Sequence, residues 1–415
     1  MSLNRRDFMK ASALSTLALT LETHPAMAAQ DASFQAKVRQ AKPITREEYL
    51  QRQETARRYM REANMDAIFL TGGSSLFYFT GMHWGISERL FAMILPAKGE
   101  PAYVTPAFEK GRALEQIKFG NDVRAWQEDE SPYQLVAAIL KDRGITTGTL
   151  GVEETVNFRF SDGVAKAATA VKLVSADAVT ARCRRIKSAH EIELMRLANQ
   201  ATIKSFEMAA HSIREGITDT ELSAKVTEAH DKLGMSEGGA LVLFSEYSAS
   251  PHGTITPQKL RAGEVVLIDG GCDFHGYKAD ITRTTVFGKP TDRQQRVWDI
   301  VKRAQAAART TARPGVACED VDAAARKVIE DAGFGPDYKY FTHRVGHGIG
   351  LDGHEWTYLV RGNKTKLEAG MTFSNEPGIY IPGEFGVRFE DIMLITENGA
   401  ELLTGQAPSI AQPFA

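Results

Sequence analysis

Five side chains able to ligate divalent metal ions fall in order along the second half of this 415-residue chain: Asp269, Asp280, His347, Glu376 and Glu390. Four hard carboxylates and one imidazole gathered around two divalent ions are what is needed to hold a bridging hydroxide at neutral pH. The chemistry they suit is metal-assisted hydrolysis. For that the five must meet, and their spacing says how. Asp269 ends the apolar run Val265-Val266-Leu267-Ile268, and Asp280 opens Ile281-Thr282-Arg283-Thr284-Thr285-Val286, so two strands are expected to flank Asp273-Phe274-His275-Gly276. A hairpin centred between Phe274 and His275 sets Asp269 directly across from Asp280, with Cβ atoms about 4.5–5.5 Å apart. The glutamates repeat the pattern: Glu376 follows Met371-Thr372-Phe373-Ser374-Asn375, Glu390 follows Phe385-Gly386-Val387-Arg388-Phe389, and Ile381-Pro382-Gly383-Glu384 supplies turn chemistry centred on Gly383. Each pair is then expected on one face of its own hairpin.

The elements that must position these pairs are themselves repeated. Leu260-Arg261-Ala262-Gly263 begins nine residues before Asp269, and Leu367-Glu368-Ala369-Gly370 begins nine residues before Glu376. Upstream, Gly216-Ile217-Thr218-Asp219-Thr220-Glu221-Leu222 is echoed by Gly315-Val316-Ala317-Cys318-Glu319-Asp320-Val321, each leading into a helical pattern. A duplicated helix, helix, hairpin unit related by a pseudo-twofold axis would bring one acidic hairpin from each half to a shared centre.

His343-Arg344-Val345-Gly346-His347-Gly348-Ile349-Gly350-Leu351-Asp352-Gly353-His354-Glu355, Asn375-Glu376-Pro377-Gly378 and Val387-Arg388-Phe389-Glu390-Asp391 together resemble the creatinase and aminopeptidase P family. The resemblance is strong over residues 180–405 and looser over 45–175, where Phe77-Tyr78-Phe79-Thr80-Gly81 and Gly99-Glu100-Pro101 carry it. It implies a mixed α/β (α+β) fold, with an N-terminal creatinase-like α/β domain followed by a pseudo-twofold pita-bread catalytic domain. The family includes Xaa-Pro dipeptidases and methionine aminopeptidases. It also has a metal-free creatinase branch, against which the five filled ligand positions argue.

The resemblance further implies that His252 and His354 contact the scissile region and stabilise charge on the carbonyl oxygen, whereas His343 reads as structural. Arg388 lies two residues before Glu390 and shares its strand face. It is expected either to clamp a substrate carboxylate or to fix a ligand carboxylate by a salt bridge. Thr282, on the face of Asp280, is expected to orient a ligand through its hydroxyl. In the family picture Asp280 and Glu390 bridge the two ions, and Glu376 carries the proton from the attacking water to the leaving nitrogen. A proline nitrogen has no hydrogen for an ordinary peptidase to read, and a compact pocket flanked by His252, His354 and Arg388 could select its ring instead. The expected reaction is hydrolysis of Xaa-Pro bonds in small peptides with proline second. The alternatives are a creatinase-like C–N hydrolase or sulfonium C–S lyase acting on a non-peptide small molecule, and a non-catalytic binding module. Oxygen-rich ligation with one histidine favours Mn²⁺, with Co²⁺, Fe²⁺ or Zn²⁺ also able to fit. A homodimer is expected from the resemblance alone.

Composition sets bounds. A net charge of −2 with 43% hydrophobic residues gives no reason to invoke nucleic acid or an anionic membrane, and the length suffices for two sizeable cores. Cys183, Cys272 and Cys318 form neither a disulfide framework nor a zinc-site spacing and read as core residues. The domain boundary falls near residues 178–188, giving a creatinase-like domain over 29–178 and the catalytic domain over 179–415. Before the boundary, strand-like runs Asp66-Ala67-Ile68-Phe69-Leu70 and Phe91-Ala92-Met93-Ile94-Leu95 alternate with helical stretches over 47–63 and 133–143. After it, Ser188-Ala189-His190-Glu191 is a capping box. The basic segment 182–187 reads as a solvated linker.

Residues 1–28 carry an address. Asn4-Arg5-Arg6-Asp7-Phe8-Met9-Lys10 is a twin-arginine signal, residues 11–21 are modestly apolar, and Ala26-Met27-Ala28 is a small-residue cleavage site. The apolar stretch falls short of the ~20 residues needed to span a bilayer. A periplasmic protein beginning near Ala29 and delivered by the twin-arginine export machinery is expected, rather than one held by a stable membrane anchor. Replacing Arg5 and Arg6 by Lys should therefore abolish periplasmic recovery in a fractionation assay; undiminished recovery refutes the address.

Overall fold

The computed structural model describes residues 25–414, so Arg5, Arg6 and the apolar stretch of the export signal lie outside the described residues. Helix Pro25–Gln40 belongs to a unit of its own, residues 1–41. Among the described residues no helix is long and apolar enough to cross a membrane.

Within residues 42–415, a six-stranded mixed sheet is built first, from β1 (Ala67–Thr71), β2 (Ala92–Pro96), β3 (Ala102–Pro106), β4 (Asp122–Trp126), β5 (Gly148–Val152) and β6 (Val171–Ser175), in the order β4-β3-β2-β1-β5-β6. β1, β2 and β3 are buried along their whole length. That is why they read as unbroken apolar runs rather than as alternating patterns. Helix Arg46–Glu62 starts on Thr45, whose side chain accepts from the Glu48 amide while Glu48 returns the bond to the Thr45 amide. Phe69, Ile94, Val104 and Leu150 share a core with Val136, Ile139 and Leu140 of helix Pro132–Asp142.

The rest of the chain is the duplicated pita-bread unit. Helices Ala189–Ala210 and Asp219–Lys232 precede β7 (Ser236–Phe244), β8 (Val265–Phe274), β9 (Tyr277–Lys278) and β10 (Ile281–Val286); helices Asp292–Thr311 and Cys318–Asp331 precede the remaining strands. These are β11 (Gly346–Gly348), β12 (Glu355–Leu359), β13 (Thr372–Asn375), β14 (Gly378–Ile381), β15 (Phe385–Arg388), β16 (Asp391–Thr396) and β17 (Gly399–Leu402). One sheet runs β10-β8-β7 with β9 on β8; the second runs β12-β11-β13-β16-β17, and β14 with β15 forms a separate ribbon. The repeat extends to individual hydrogen bonds. Leu260 N donates to Ile217 O and Leu367 N to Val316 O at 3.0 and 2.9 Å, while Gly263 N reaches Phe287 O and Gly370 N reaches Ile395 O at 2.7 and 2.8 Å. Gly263 and Gly370 both sit in the left-handed region, φ +83° and +88°, where only glycine is unstrained.

Registers decide where the acids fall. The glutamate hairpin pairs as its spacing predicts: Gly378 opposes Arg388 in the ribbon and Asn375 opposes Asp391 in the sheet, so Glu376 and Glu390 keep step in the gap between the two ladders. The aspartate hairpin departs from the expectation by two residues, because Asp269 opposes Thr282 rather than Asp280. The turn residues are His275 and Gly276, both at positive φ, 53° and 92°, and a two-residue turn there moves the hairpin centre one position along the chain. Since strand faces alternate with period two, Asp280 keeps the face of Thr282 and lies diagonally from Asp269.

The halves join where Thr282 and Glu390 exchange backbone hydrogen bonds, 3.1 and 3.3 Å. Beside this bridge Arg283 Nη2 donates to Asp391 Oδ1 at 2.6 Å, with both side chains almost fully buried, and Asp391 also accepts from Gln305 Nε2 and Thr404 Oγ1. Removing one member of such a pair strands the other's charge. Asp391→Ala is therefore expected to lower unfolding stability by about 3–5 kcal/mol, with Arg283→Met/Asp391→Leu less affected. An unfolding free energy from urea titration of Asp391→Ala within about 1 kcal/mol of wild type would show the pair to be dispensable.

Candidate metal centre

The five candidate ligands converge. Asp269 comes from β8, Asp280 from the residue before β10, His347 from the middle of β11, Glu376 from just after β13 and Glu390 from the short link between β15 and β16. Three overlapping groups each have donor atoms within 4.8 Å of one another: Asp269, Asp280 and Glu390; His347, Glu376 and Glu390; and Asp280, His347 and His354. Glu390 is common to the first two, so two neighbouring cation positions with Glu390 between them fit the donor set.

The electrostatics call for cations. Four carboxylates face one guanidinium, Arg388, in a site where His347 and Glu390 are each 2% exposed. Burial pushes the Asp280 carboxyl up, and Asp269 pushes it further. Burial likewise raises Glu390 well above the carboxylate range, reinforced by Asp280 and Glu376. Burial works against the Glu376 carboxylate too, but the contact with His347 and the nearby His343 outweigh it and hold its pKa low. His347 Nδ1 lies 3.0 Å from Gly348 O, a pure acceptor, so Nδ1 carries the hydrogen. Nε2 then faces Glu376 Oε1 at 3.2 Å, Asp280 Oδ2 at 3.9 Å and Glu390 Oε1 at 4.0 Å. Lone pair opposes lone pair there unless a proton or a metal ion lies between them. Divalent ions bound by hard oxygens and one imidazole satisfy that requirement.

A second layer fixes the carboxylates. The Thr282 hydroxyl lies 2.8 Å from Asp269 Oδ1 and 2.8 Å from Glu390 Oε2, one proton serving two acceptors, and it accepts from Arg388 Nε at 3.1 Å. Arg388 donates through Nη2 to Asp269 Oδ2 at 2.5 Å and through Nη1 to Tyr380 OH and Pro251 O at 3.0 and 3.2 Å. With these donors engaged and the side chain buried, the geometry favours the bracing alternative over a clamp on a substrate carboxylate, and the candidate ligand braced is Asp269. Tyr380 OH in turn meets His343 Nε2 at 2.7 Å, and His343 Nδ1 lies 3.8 Å from Glu376 Oε2. His343, read from the sequence as structural, thus borders a ligand. Tyr380 escaped the sequence reading although it shares the face of Glu376 by period two. The signal was Gly378, two residues earlier on the same strand and opposite Arg388: a Cβ there would meet Tyr380 OH at 2.4 Å. Ser374, also overlooked, donates to Glu376 Oε1 at 3.0 Å and takes the His347 amide at 3.0 Å.

The rim is histidine-rich. His354 is exposed and stacks on His347, centroids 3.7 Å apart, and burial with the neighbouring His347 lowers its pKa. His252 is exposed on the loop whose Pro251 carbonyl accepts from Arg388. The three cysteines are buried and unbridged.

The basic segment 182–187 departs from the expectation of a solvated linker. Helix Thr180–Arg185 occupies it, and Arg184 and Lys187 are 7% and 6% exposed. Both are buried because Glu355, far along the chain, supplies their counter-charge.

Comparison with known proteins agrees with this architecture. Residues 193–397 match the model of metallopeptidase family M24, and residues 52–186 match that of the creatinase/prolidase N-terminal domain. An uncharacterized peptidase of Staphylococcus epidermidis is 35% identical over 350 residues, covering 84% of this chain and 97% of its own. The crystal structure of dipeptidase PepE from Mycobacterium ulcerans is similar with a TM-score of 0.81 at 34% identity, covering 88% of this chain and 97% of that one. The Xaa-Pro dipeptidase from Bacillus anthracis is similar with a TM-score of 0.76 at 30% identity, covering 86% and 97%.

Two substitutions separate ligation from bracing. Asp280→Ala should lose at least one metal ion per chain, whereas Arg388→Ala keeps every ligand and should weaken binding, recovered only in part by Arg388→Lys, which lacks the planar fork. Metal-to-protein ratios by plasma mass spectrometry over a range of free Mn²⁺ check both. Full occupancy in Asp280→Ala removes that residue from the centre, and wild-type affinity in Arg388→Ala removes the brace.

Proposed function

The chain belongs to metallopeptidase family M24 and is a metal-dependent peptidase; from that premise we propose that it hydrolyses Xaa-Pro bonds in short peptides at a two-ion centre. The observation that carries the reading is the pair of donor groups sharing Glu390, with Asp269 and Asp280 on one side and His347 and Glu376 on the other. When bound, a pair of divalent ions would acidify a water molecule and polarise the scissile carbonyl. The four carboxylates suit Mn²⁺. The twin-arginine segment supports delivery of the folded, metal-loaded protein to the periplasm.

The protein's own groups supply the remainder. Glu376 Oε1 is engaged by Ser374 and His347, whereas among the described contacts Oε2 makes no hydrogen bond and has His343 Nδ1 at 3.8 Å. That oxygen is free to take a proton from the attacking water and return it to the proline nitrogen, which cannot leave as an anion. His354, its pKa lowered, is a neutral donor at the rim; with His252 it is placed to hydrogen-bond the carbonyl oxygen as charge develops there. Arg388 and Thr282 hold Asp269 and Glu390 still, so that little rearrangement accompanies the reaction.

A substrate-length series on metal-reconstituted mature protein tests the reading. Ala-Pro should be turned over, and Ala-Ala should not. Two bound ions with no activity on any proline peptide would point instead to a non-peptide substrate. Glu376→Gln should retain most of its metal yet lose about 10²- to 10⁴-fold in kcat, the usual weight of a general acid–base; parallel loss of metal and rate would make Glu376 a ligand only.

A further inference from the structure

The ring of His354 makes no hydrogen bond among the described contacts; it only stacks on His347. Its position must come from its backbone, and the loop that carries it is wound around its neighbour. Glu355 Oε1 accepts the amides of Leu351 and Asp352 at 2.9 and 3.2 Å, closing the loop on its own carboxylate. That carboxylate is held from outside by Arg184 Nη2 at 2.5 Å and Lys187 Nζ at 3.0 Å. Arg184 Nη2 also holds Asp352 Oδ2 at 2.5 Å, and its Nη1 donates to Ser75 Oγ at 3.1 Å, which donates on to Glu153 Oε1 at 2.9 Å. Ser74 Oγ donates to Asp352 Oδ1. Ser74, Ser75 and Glu153 belong to the part of the chain that builds the first sheet, so one guanidinium ties that sheet's domain to the loop bearing His354. A side chain on Gly350 would run into Lys187 Cε and the Glu355 carboxylate, 2.8 and 2.9 Å from its Cβ, so the network packs closely against the backbone there.

We propose that Arg184 is a positioning residue for His354, acting through Glu355 and Asp352, and that the N-terminal domain sets the turnover rate through this link. The proposal rests on the peptidase reading for its kinetic consequence. The buried salt bridge alone would predict only lost stability. Positioning predicts something more specific: Arg184→Lys keeps the charge but cannot span Ser75, Asp352 and Glu355 with one planar fork. The loop should then shift while the metal ligands stay.

The test is a double-mutant cycle on the full, metal-loaded chain. Arg184→Lys is expected to lower kcat for Ala-Pro on the order of 10- to 100-fold, with KM and metal content near wild type. In a His354→Ala background the same change should cost less than about twofold, because the group it positions is gone. An equal loss in both backgrounds overturns the proposal and leaves Arg184 a structural residue. Should Arg184→Lys fail to fold, Ser74→Ala removes one tether to Asp352 and carries the same cycle. A second readout needs no substrate: in protein loaded with diamagnetic Zn²⁺, the His354 ring resonances, assigned by their absence in His354→Ala, should move or broaden in Arg184→Lys while those of His252 stay put. Unmoved His354 resonances overturn the proposal. Absence of proline-peptide turnover by the wild type overturns only the substrate reading, and the resonances still decide the role of Arg184.

Discussion

Four carboxylates brought into one partly buried space repel one another, and the rest of the catalytic domain is arranged around that repulsion. Asp269, Asp280, Glu376 and Glu390 cannot all be ionised there without cations, as the raised pKa values of Asp280 and Glu390 register. What holds them together is the junction of the two halves. The backbone of Glu390 is bonded both ways to Thr282, and the Thr282 hydroxyl spans Asp269 and Glu390. Arg388 then neutralises the carboxylate nearest to it, Asp269, and hangs on Tyr380 and Pro251. The candidate ligands thus sit within paired strands or one or two residues from their ends, where strand pairing holds the backbone stiffly.

The pseudo-twofold arrangement explains why two halves are needed. Each contributes one acidic hairpin, each hairpin is preceded by the same pattern of loop backbone hydrogen bonds, and neither could gather all four acids alone. The buried Arg283–Asp391 pair sits one residue along from the Thr282–Glu390 bridge and receives Gln305 from helix Asp292–Thr311. The packing of that helix is thereby coupled to the position of Glu390. On the opposite side of the centre His347 is set by Ser374 and stacked under His354, whose loop is tethered through Arg184 to the N-terminal domain.

Much of this was legible in the sequence, and the failures share a physical origin. The glutamate hairpin follows its spacing because Gly383, at φ +76°, sits where the symmetric turn needs it. The aspartate hairpin keeps its predicted face but not its predicted register, since His275 accepts a left-handed conformation that its residue type does not announce. Period two located Arg388 beside the centre but could not show that Asp269, Tyr380 and Pro251 occupy it. Arg184 and Lys187 looked solvated because nothing within reach along the chain neutralises them. Their partner Glu355 is 171 and 168 residues away. Local patterns reveal which face a residue occupies; long-range charge pairing is set only by the finished fold.

The central proposal is two cation positions that share Glu390. Anomalous diffraction at the manganese edge, from crystals of protein reconstituted with Mn²⁺, addresses this directly. Two peaks are predicted, one among Asp269, Asp280 and Glu390 and the other among His347, Glu376 and Glu390. A single peak, or two peaks of which only one touches Glu390, would contradict it.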